Sequence, residues 1–518
     1  MARYDVVVIG GGHNGLTAAC ILAKAGRSVA VFERAPAVGG LCTPREFHPG
    51  YHEPGVLHDT AQIRVEVAEA LHLDQHGLDL AAPVSVLLTG ASATGITIHA
   101  SDDATAADIA RVSARDADRW REYRAFVGRM RKVVEPLLNE APPDISALGS
   151  LHAGSLGLLL KSAVSFQRLG RREMAEMLRV PPMCVADWMN EWFETELLKA
   201  GLAHGAVIGL WAGPWSPGTA TNLLLADCTT TRSIKGGAGA LSAALERAAR
   251  HHGVEIRTGA EVASIRVDGG NATGVVLASG ETIDAGIVAA ACDPRRTFLD
   301  LIPPATLPVA FEHRAGVIRS RGTTAKVNLA LSRRLEFAAR PGERVERART
   351  ASTLDDLERA FDAVKYGRFS DHPVLDIHAP AVSTAAMAPD GTDVVSMMVH
   401  FAPHALVGGW DDAARERLGD AVVDELERVA PGAKAAVVAR EVLTPADIAD
   451  RHGVTGGQIH HVEHALDQLA IRPTLDTMRY ATPVGNLYLC GSGSHPGGGA
   501  TCAPGALGAA AILARRSR

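Results

Sequence analysis

Residues 4–15 read YDVVVIGGGHNG, and this short stretch restricts the fold more than any other part of the chain. Tyr4 to Ile9 is an apolar, β-branched run of the kind that fills a buried parallel strand. The loop Gly10-Gly11-Gly12-His13-Asn14-Gly15 follows with G-x-G-x-x-G spacing. Gly10 permits the tight turn, Gly12 lets a pyrophosphate approach the backbone, and Gly15 lets the next helix pack closely on the strand. That helix is predicted from about Asn14 to Lys24, with Gly26 as its stop. Its amino end, carrying His13 and Asn14, presents free N–H groups and the positive end of the helix dipole to a phosphate. A second strand, Ser28 to Phe32, leads to Glu33, 18 residues after Gly15 and placed to accept hydrogen bonds from a ribose diol. A glycine-rich turn serving chain geometry alone explains the loop but not the order of strand, loop, helix, strand and acid. The expectation is a dinucleotide-binding, Rossmann-type α/β domain.

At 518 residues the chain exceeds what one hydrophobic core usually supports, so two domains are expected, interleaved if the first is discontinuous. With 47% apolar residues, 21% charged residues and a formal charge of −6, the sequence has neither the basic stripe of a nucleic-acid binder nor the composition of a disordered chain. Ala2 runs almost directly into the first strand without a small-residue cleavage site, which points to the cytoplasm rather than secretion. No uninterrupted apolar run reaches the roughly 18 to 20 residues of a membrane span. The longest, Leu151 to Phe166, is broken by Lys161, leaving peripheral contact with a bilayer open. Seven scattered cysteines, odd in number and without C-x-x-C, speak against a disulfide framework or zinc cage.

Arg34 follows Glu33, and Gly39-Gly40-Leu41-Cys42 brings the backbone close to a ligand a second time. This E-R-x(4)-G-G pattern resembles the extended FAD signature of the flavoprotein group that holds amine oxidases and carotenoid desaturases, and it implies FAD rather than NAD. In that group the FAD domain is discontinuous. Its returning pieces are matched by Gly236 to Leu241 opening a helix, by strands at Val254 to Ile256 and Glu261 to Val267, and by Thr282 to Ala291. By the same resemblance Val262 is where the backbone meets the adenine.

The end of the chain carries the most specific likeness. Gly453-Val454-Thr455-Gly456-Gly457-Gln458, Leu466 to Leu469, Arg472-Pro473, and the strand Asn486 to Cys490 with its glycine run Gly491 to Gly499 resemble the phytoene desaturase-related FAD oxidoreductases. Within them they look like the pyridine nucleotide-disulphide oxidoreductase domain-containing protein 2 branch. The resemblance implies that Gly491, Ser492, Gly498, Gly499, Ala500 and Thr501 meet the flavin. The last helix, expected from about Pro504 to Arg515, would then place its amino end near the N1–C2=O edge. Two positions depart from the family pattern: Cys502 stands where relatives often have Gly, and Ala506-Leu507 where the branch has Arg-Asn. Both lie near the expected ring and put the family's substrate or acceptor in doubt. Thiol–disulphide exchange is not expected, because Cys42 has no neighbouring cysteine in sequence.

These readings assign residues 1–60, 225–300 and 445–518 to a discontinuous FAD domain, and 61–224 and 301–444 to an interleaved α+β substrate domain rich in helical patterns. The Trp/Met-rich stretch Met183 to Trp215 suits either ordinary core or an apolar cavity. Candidate catalytic groups are His495 in the glycine run, and His58 and Asp59 after the first FAD segment. His460 and His464 would share one helical face, but the tract is not H-E-x-x-H and no metal is expected. The resemblance implies an FAD-dependent oxidoreductase that dehydrogenates or isomerises an apolar small molecule such as a polyene, terpenoid or polyketide; the sequence leaves the electron acceptor open among oxygen, a quinone and another protein. An amine oxidase and a flavin-binding protein without turnover are the alternatives.

Overall fold

The computed structural model describes residues 3–143 and 170–515; the apolar run Leu151 to Phe166 lies outside the described residues. Two large sheets organise the chain. In the first, the strand Arg3–Ile9 pairs in parallel with Val29–Phe32 on one side and Thr282–Ala290 on the other, while Glu255–Arg257 closes the far edge. Val6 to Ile9 are all buried, as the absence of polar alternation in the sequence requires of a strand covered on both faces. The first half of Thr282–Ala290 carries the antiparallel strands Asn271–Leu277 and Val262–Asp268. Its second half pairs in parallel with Leu487–Leu489, Ala289 opposite Tyr488.

Both ends of the polypeptide therefore meet in one sheet. Three helices, His13–Lys24, Gly237–His251 and Ala503–Leu513, enclose one core with it. The first and last cross closely because Gly505 has no side chain: a Cβ there would overlap the Asn14 carbonyl oxygen. Asn14 also bonds across the crossing, donating from Nδ2 to Ser492 Oγ at 3.0 Å and accepting the Gly505 N–H at 3.3 Å.

The second sheet runs in the order Val437–Leu443, Thr324–Leu331, Asp393–His400, Val374–His378, Arg347–Thr350, Val86–Thr89, Gly95–Ile98. Residues 300–445 thus supply strands as well as the helical patterns read from the sequence. Thr324–Leu331 and Asp393–His400 are buried at every residue, so neither shows the alternation that marks a half-buried strand. The helix Asp412–Val429 covers one face through Leu418, Val422 and Leu426. A helical layer packs elsewhere around Trp120, Tyr123, Trp188, Phe193 and Phe361. Trp188, Met189 and Phe193 are thus core, not cavity wall. Among the described residues no helix is long and apolar enough to cross a membrane.

Candidate functional site

A cavity of about 420 Å³ opens at the carboxyl ends of the first sheet's parallel strands. It is lined by Gly10, Gly12, His13, Asn14 and Gly15 of the first loop, by Glu33, Arg34, Gly40 and Leu41 beyond it, and by Val262 and Ser492 from the distal segments. Gly39 and Gly491 are not on its wall. Gly39 shapes the turn at φ 120°, a left-handed conformation suited to glycine. At Gly491 a Cβ would overlap the Ala291 carbonyl oxygen. Gly498, Gly499, Ala500 and Thr501 line a separate cavity of about 180 Å³. His13 joins the two, its Nε2 lying 3.0 Å from the Gly499 carbonyl. Burial, with His461 nearby, lowers the His13 pKa to about 4, so the ring is neutral at physiological pH.

The larger cavity fits a dinucleotide diphosphate. Gly12 caps the first helix in an extended conformation, φ −67° and ψ 170°, and a Cβ there would meet only Gly40 Cα at 4.0 Å, so its empty side belongs to the cavity. No side chain caps this helix and no acid lies in its first turn, leaving the opening N–H groups for an anion. Glu33 accepts the Gly11 N–H at 2.7 Å and the Ala35 N–H at 2.8 Å. A carboxylate has about four lone-pair sites, so two remain for a ribose diol. The residues present fit FAD: Gly12 to Gly15 would hold its diphosphate and Glu33 its ribose, and Val262, on the same wall, would lie beside its adenine.

Buried contacts fix the C-terminal motifs. Asp293 accepts the Thr455 N–H and hydroxyl, each at 2.9 Å, and Gln458 Nε2 donates to the Gly209 carbonyl at 2.8 Å. Arg472 is 1% exposed and donates to the carbonyls of His460, Val462, Glu463 and Ser492 at 2.8–3.1 Å, tying the 460–463 loop to the glycine run after the last strand. That loop is a series of turns, which corrects the helical face expected for His460 and His464. Their rings nevertheless stack at 4.0 Å, and His464 Nε2 accepts the Gly498 N–H at 3.0 Å. Burial, with Arg472 nearby, holds His460 at about 4.

The three catalytic candidates separate. His495 bonds through Nε2 with the Leu137 carbonyl at 3.0 Å and lines neither cavity described above. His58 and Asp59 line a third cavity of about 260 Å³, and Asp59 also lines the 180 Å³ one. His58 Nε2 lies 3.2 Å from Asp376 Oδ1, and its Nδ1 lies 2.8 Å from Lys326 Nζ. The carboxylate requires the proton on Nε2 and the ammonium requires Nδ1 as acceptor, so this tautomer leaves no nitrogen for a ligand. Asp59 pairs with Arg347 at 3.4 Å and accepts the Ala61 N–H at 2.9 Å. Sequence reasoning missed Lys326, Arg347, Arg349 and Asp376. Their signal was a charge inside an otherwise apolar or β-forming run, as in TAKVNLAL and VLDIH. Burial lowers the Lys326 pKa to about 7, with the acids Glu53 and Asp376 opposing the shift.

The cysteines are free, and all but the half-buried Cys292 are fully buried. Burial raises Cys292 and Cys502 to about 11, which keeps them as thiols.

The profile of the flavin-containing amine oxidoreductases matches residues 15–516. The chain belongs to that family. It is 34% identical to the rat (Rattus norvegicus) pyridine nucleotide-disulfide oxidoreductase domain-containing protein 2, over 97% of this chain and 92% of the relative. A limonene dehydrogenase polypeptide of Castellaniella defragrans is 26% identical, covering 96% and 92%. The lycopene-forming phytoene desaturase of a Paracoccus species is also 26% identical, covering 99% and 97%. In fold it is similar to cyclohexylamine oxidase from Brevibacterium oxydans, with a TM-score of 0.56 at 15% identity over 98% and 97% of the two chains. The protein is an FAD-dependent oxidoreductase with a Rossmann-type FAD-binding fold.

Proposed function

We propose that this enzyme dehydrogenates a hydrophobic small molecule such as a polyene, terpenoid or polyketide, with oxygen or a quinone as the final acceptor, or isomerises it by returning the hydride to the same molecule. The observation that carries the reading is the 180 Å³ cavity, where Leu57, Ile208, Leu210, Met398 and Ile459 face the backbone of Gly497 to Thr501. A carbon skeleton held there lies against the segment assigned to the flavin. Relatives named for limonene dehydrogenation and phytoene desaturation support chemistry at carbon rather than nitrogen.

Bound FAD supplies an acceptor for a hydride taken from carbon. The chain excludes water with its apolar walls and orients the skeleton against the glycine run. Asp59 stands where the cavities meet, with a carboxylate kept ionised by Arg347, and receives the proton leaving the neighbouring carbon. His58 and Lys326 lie one layer behind it and hold the Asp376–Arg347 network in place.

The test is anaerobic incubation of the oxidised holoenzyme with fractionated apolar metabolites. Bleaching of the flavin band, with mass spectrometry showing loss of two hydrogens or an isomer, is expected. A flavin bleached only by amines supports the amine-oxidase reading instead, and one bleached by nothing supports a binding protein.

A further inference from the structure

Apolar residues make up much of the wall of the 180 Å³ cavity, yet two arginines, Arg64 and Arg349, line it against a single acidic residue, Asp59. Asp59 is already engaged by Arg347. Arg349 is also partly satisfied, with Nε 3.5 Å from Asp376 and Nη1 donating to the Gly201 carbonyl at 3.2 Å.

Arg64 differs. It is 6% exposed, Nη1 donates to the Gln62 carbonyl at 3.0 Å, and Nε has no hydrogen-bond partner. Among the described residues no carboxylate pairs with it; Glu66 and Glu135 act on it only at longer range. The two histidines on the same wall, His460 and His464, are held neutral by burial and contribute no charge. A guanidinium stays protonated in any accessible pH range. Burying such an ion without a counter-charge costs several kcal/mol, and that cost is relieved when a ligand brings the opposite charge.

We propose that the substrate is not a pure hydrocarbon but an amphipathic acid, whose carboxylate sits on Arg64 with Arg349 alongside while its apolar body lies against Leu57, Ile208, Met398 and Ile459. The planar guanidinium fork suits a carboxylate's two oxygens. The uncompensated charge on the cavity wall is one, which matches a monoanion better than a phosphate dianion. This assignment rests on the reading of the cavity as the substrate site.

The experiment titrates oxidised holoenzyme with octanoate, octan-1-ol and octylamine, following perturbation of the flavin absorption band. Octanoate is expected to bind saturably and about tenfold or more tighter than octan-1-ol, with octylamine weakest, since one charge-assisted contact is worth at least about 1.4 kcal/mol. Arg64→Met, with wild-type flavin content and melting temperature, is expected to bind octanoate and octan-1-ol alike, while Arg64→Lys keeps part of the preference. Equal binding of octanoate and octan-1-ol by wild type, no response to octanoate, or an unchanged preference in Arg64→Met each overturns the proposal. If Arg64→Met fails to fold, the wild-type comparison and Arg64→Lys decide. Flavin bleaching by neutral apolar metabolites alongside equal binding sinks the acid site and leaves the dehydrogenase reading standing. Selective octanoate binding by a flavin that no metabolite bleaches does the reverse.

Discussion

Two glycines in the same loop are expected to respond in opposite ways to the same added methyl group. At Gly12 the backbone is extended, a conformation open to any residue, and a Cβ finds no atom nearer than Gly40 Cα at 4.0 Å. Gly12→Ala therefore leaves the apoprotein as stable as wild type, or more stable by about 0.4–1 kcal/mol through loss of unfolded-state freedom. The methyl does occupy the place where a diphosphate oxygen must approach the helix N–H groups. Losing one or two charge-assisted hydrogen bonds at about 1.5–3 kcal/mol each weakens FAD binding by about 10- to 10⁴-fold. At Gly15 a Cβ would overlap the Gly10 carbonyl oxygen and come within 3.0 Å of Ala291 Cβ, both parts of the chain itself. Gly15→Ala must push the helix off the sheet, at about 1–3 kcal/mol of folding stability. The assay is a denaturant midpoint on each apoprotein, followed by FAD titration read by quenching of flavin fluorescence. A Gly12→Ala protein that binds FAD like wild type, or that loses as much stability as Gly15→Ala, refutes the assignment of the loop.

Arg472→Met is expected to destabilise the protein by about 3 kcal/mol or more, because it strands several buried carbonyls at about 1–3 kcal/mol each; a wild-type melting curve would contradict this. His400, His460 and His495 are each lowered to about 4 in the folded protein, chiefly by burial, against an ordinary value of 6.5. The unfolded chain takes up protons first as pH falls, so stability is full above about 6.5 and is lost towards 4, by up to about 1.4 kcal/mol per pH unit for each histidine. A denaturant midpoint that stays flat between pH 7 and pH 4.5 would rule this out. Lys326 titrates near 7, and Lys326→Met is expected to remove a limb near that pH from the rate of flavin reduction by substrate; an unchanged profile would exclude it from the protonic network.

The first strand, its loop and Glu33 were legible because every requirement is local: a continuous apolar run, three glycines at fixed offsets and an acid at the next strand end. The C-terminal strand and glycine run were readable for the same reason. The second sheet was not, because strands buried on both faces, such as Asp393–His400, lose the two-residue alternation that distinguishes them from helix. The polar cluster was hidden more deeply. His58, Lys326, Arg347 and Asp376 sit on four separate segments, and only the pairing of Thr324–Leu331, Asp393–His400, Val374–His378 and Arg347–Thr350 in one sheet brings them together. Of the Met183 to Trp215 aromatics, which had the composition of a ligand pocket, Trp188 and Phe193 became core, since Tyr123 and Trp120 from a distant helix fill the space beside them, whereas Trp211 lines a cavity and Trp215 is exposed.

The contact between Asn14 and Gly505 spans 491 positions of sequence. On a translating ribosome the first loop emerges long before its partner exists, and at about 5–20 residues per second the wait is roughly 25 to 100 s. The helix crossing and the Ser492 side of the cavity can therefore close only after that interval, once the last helix has left the ribosome.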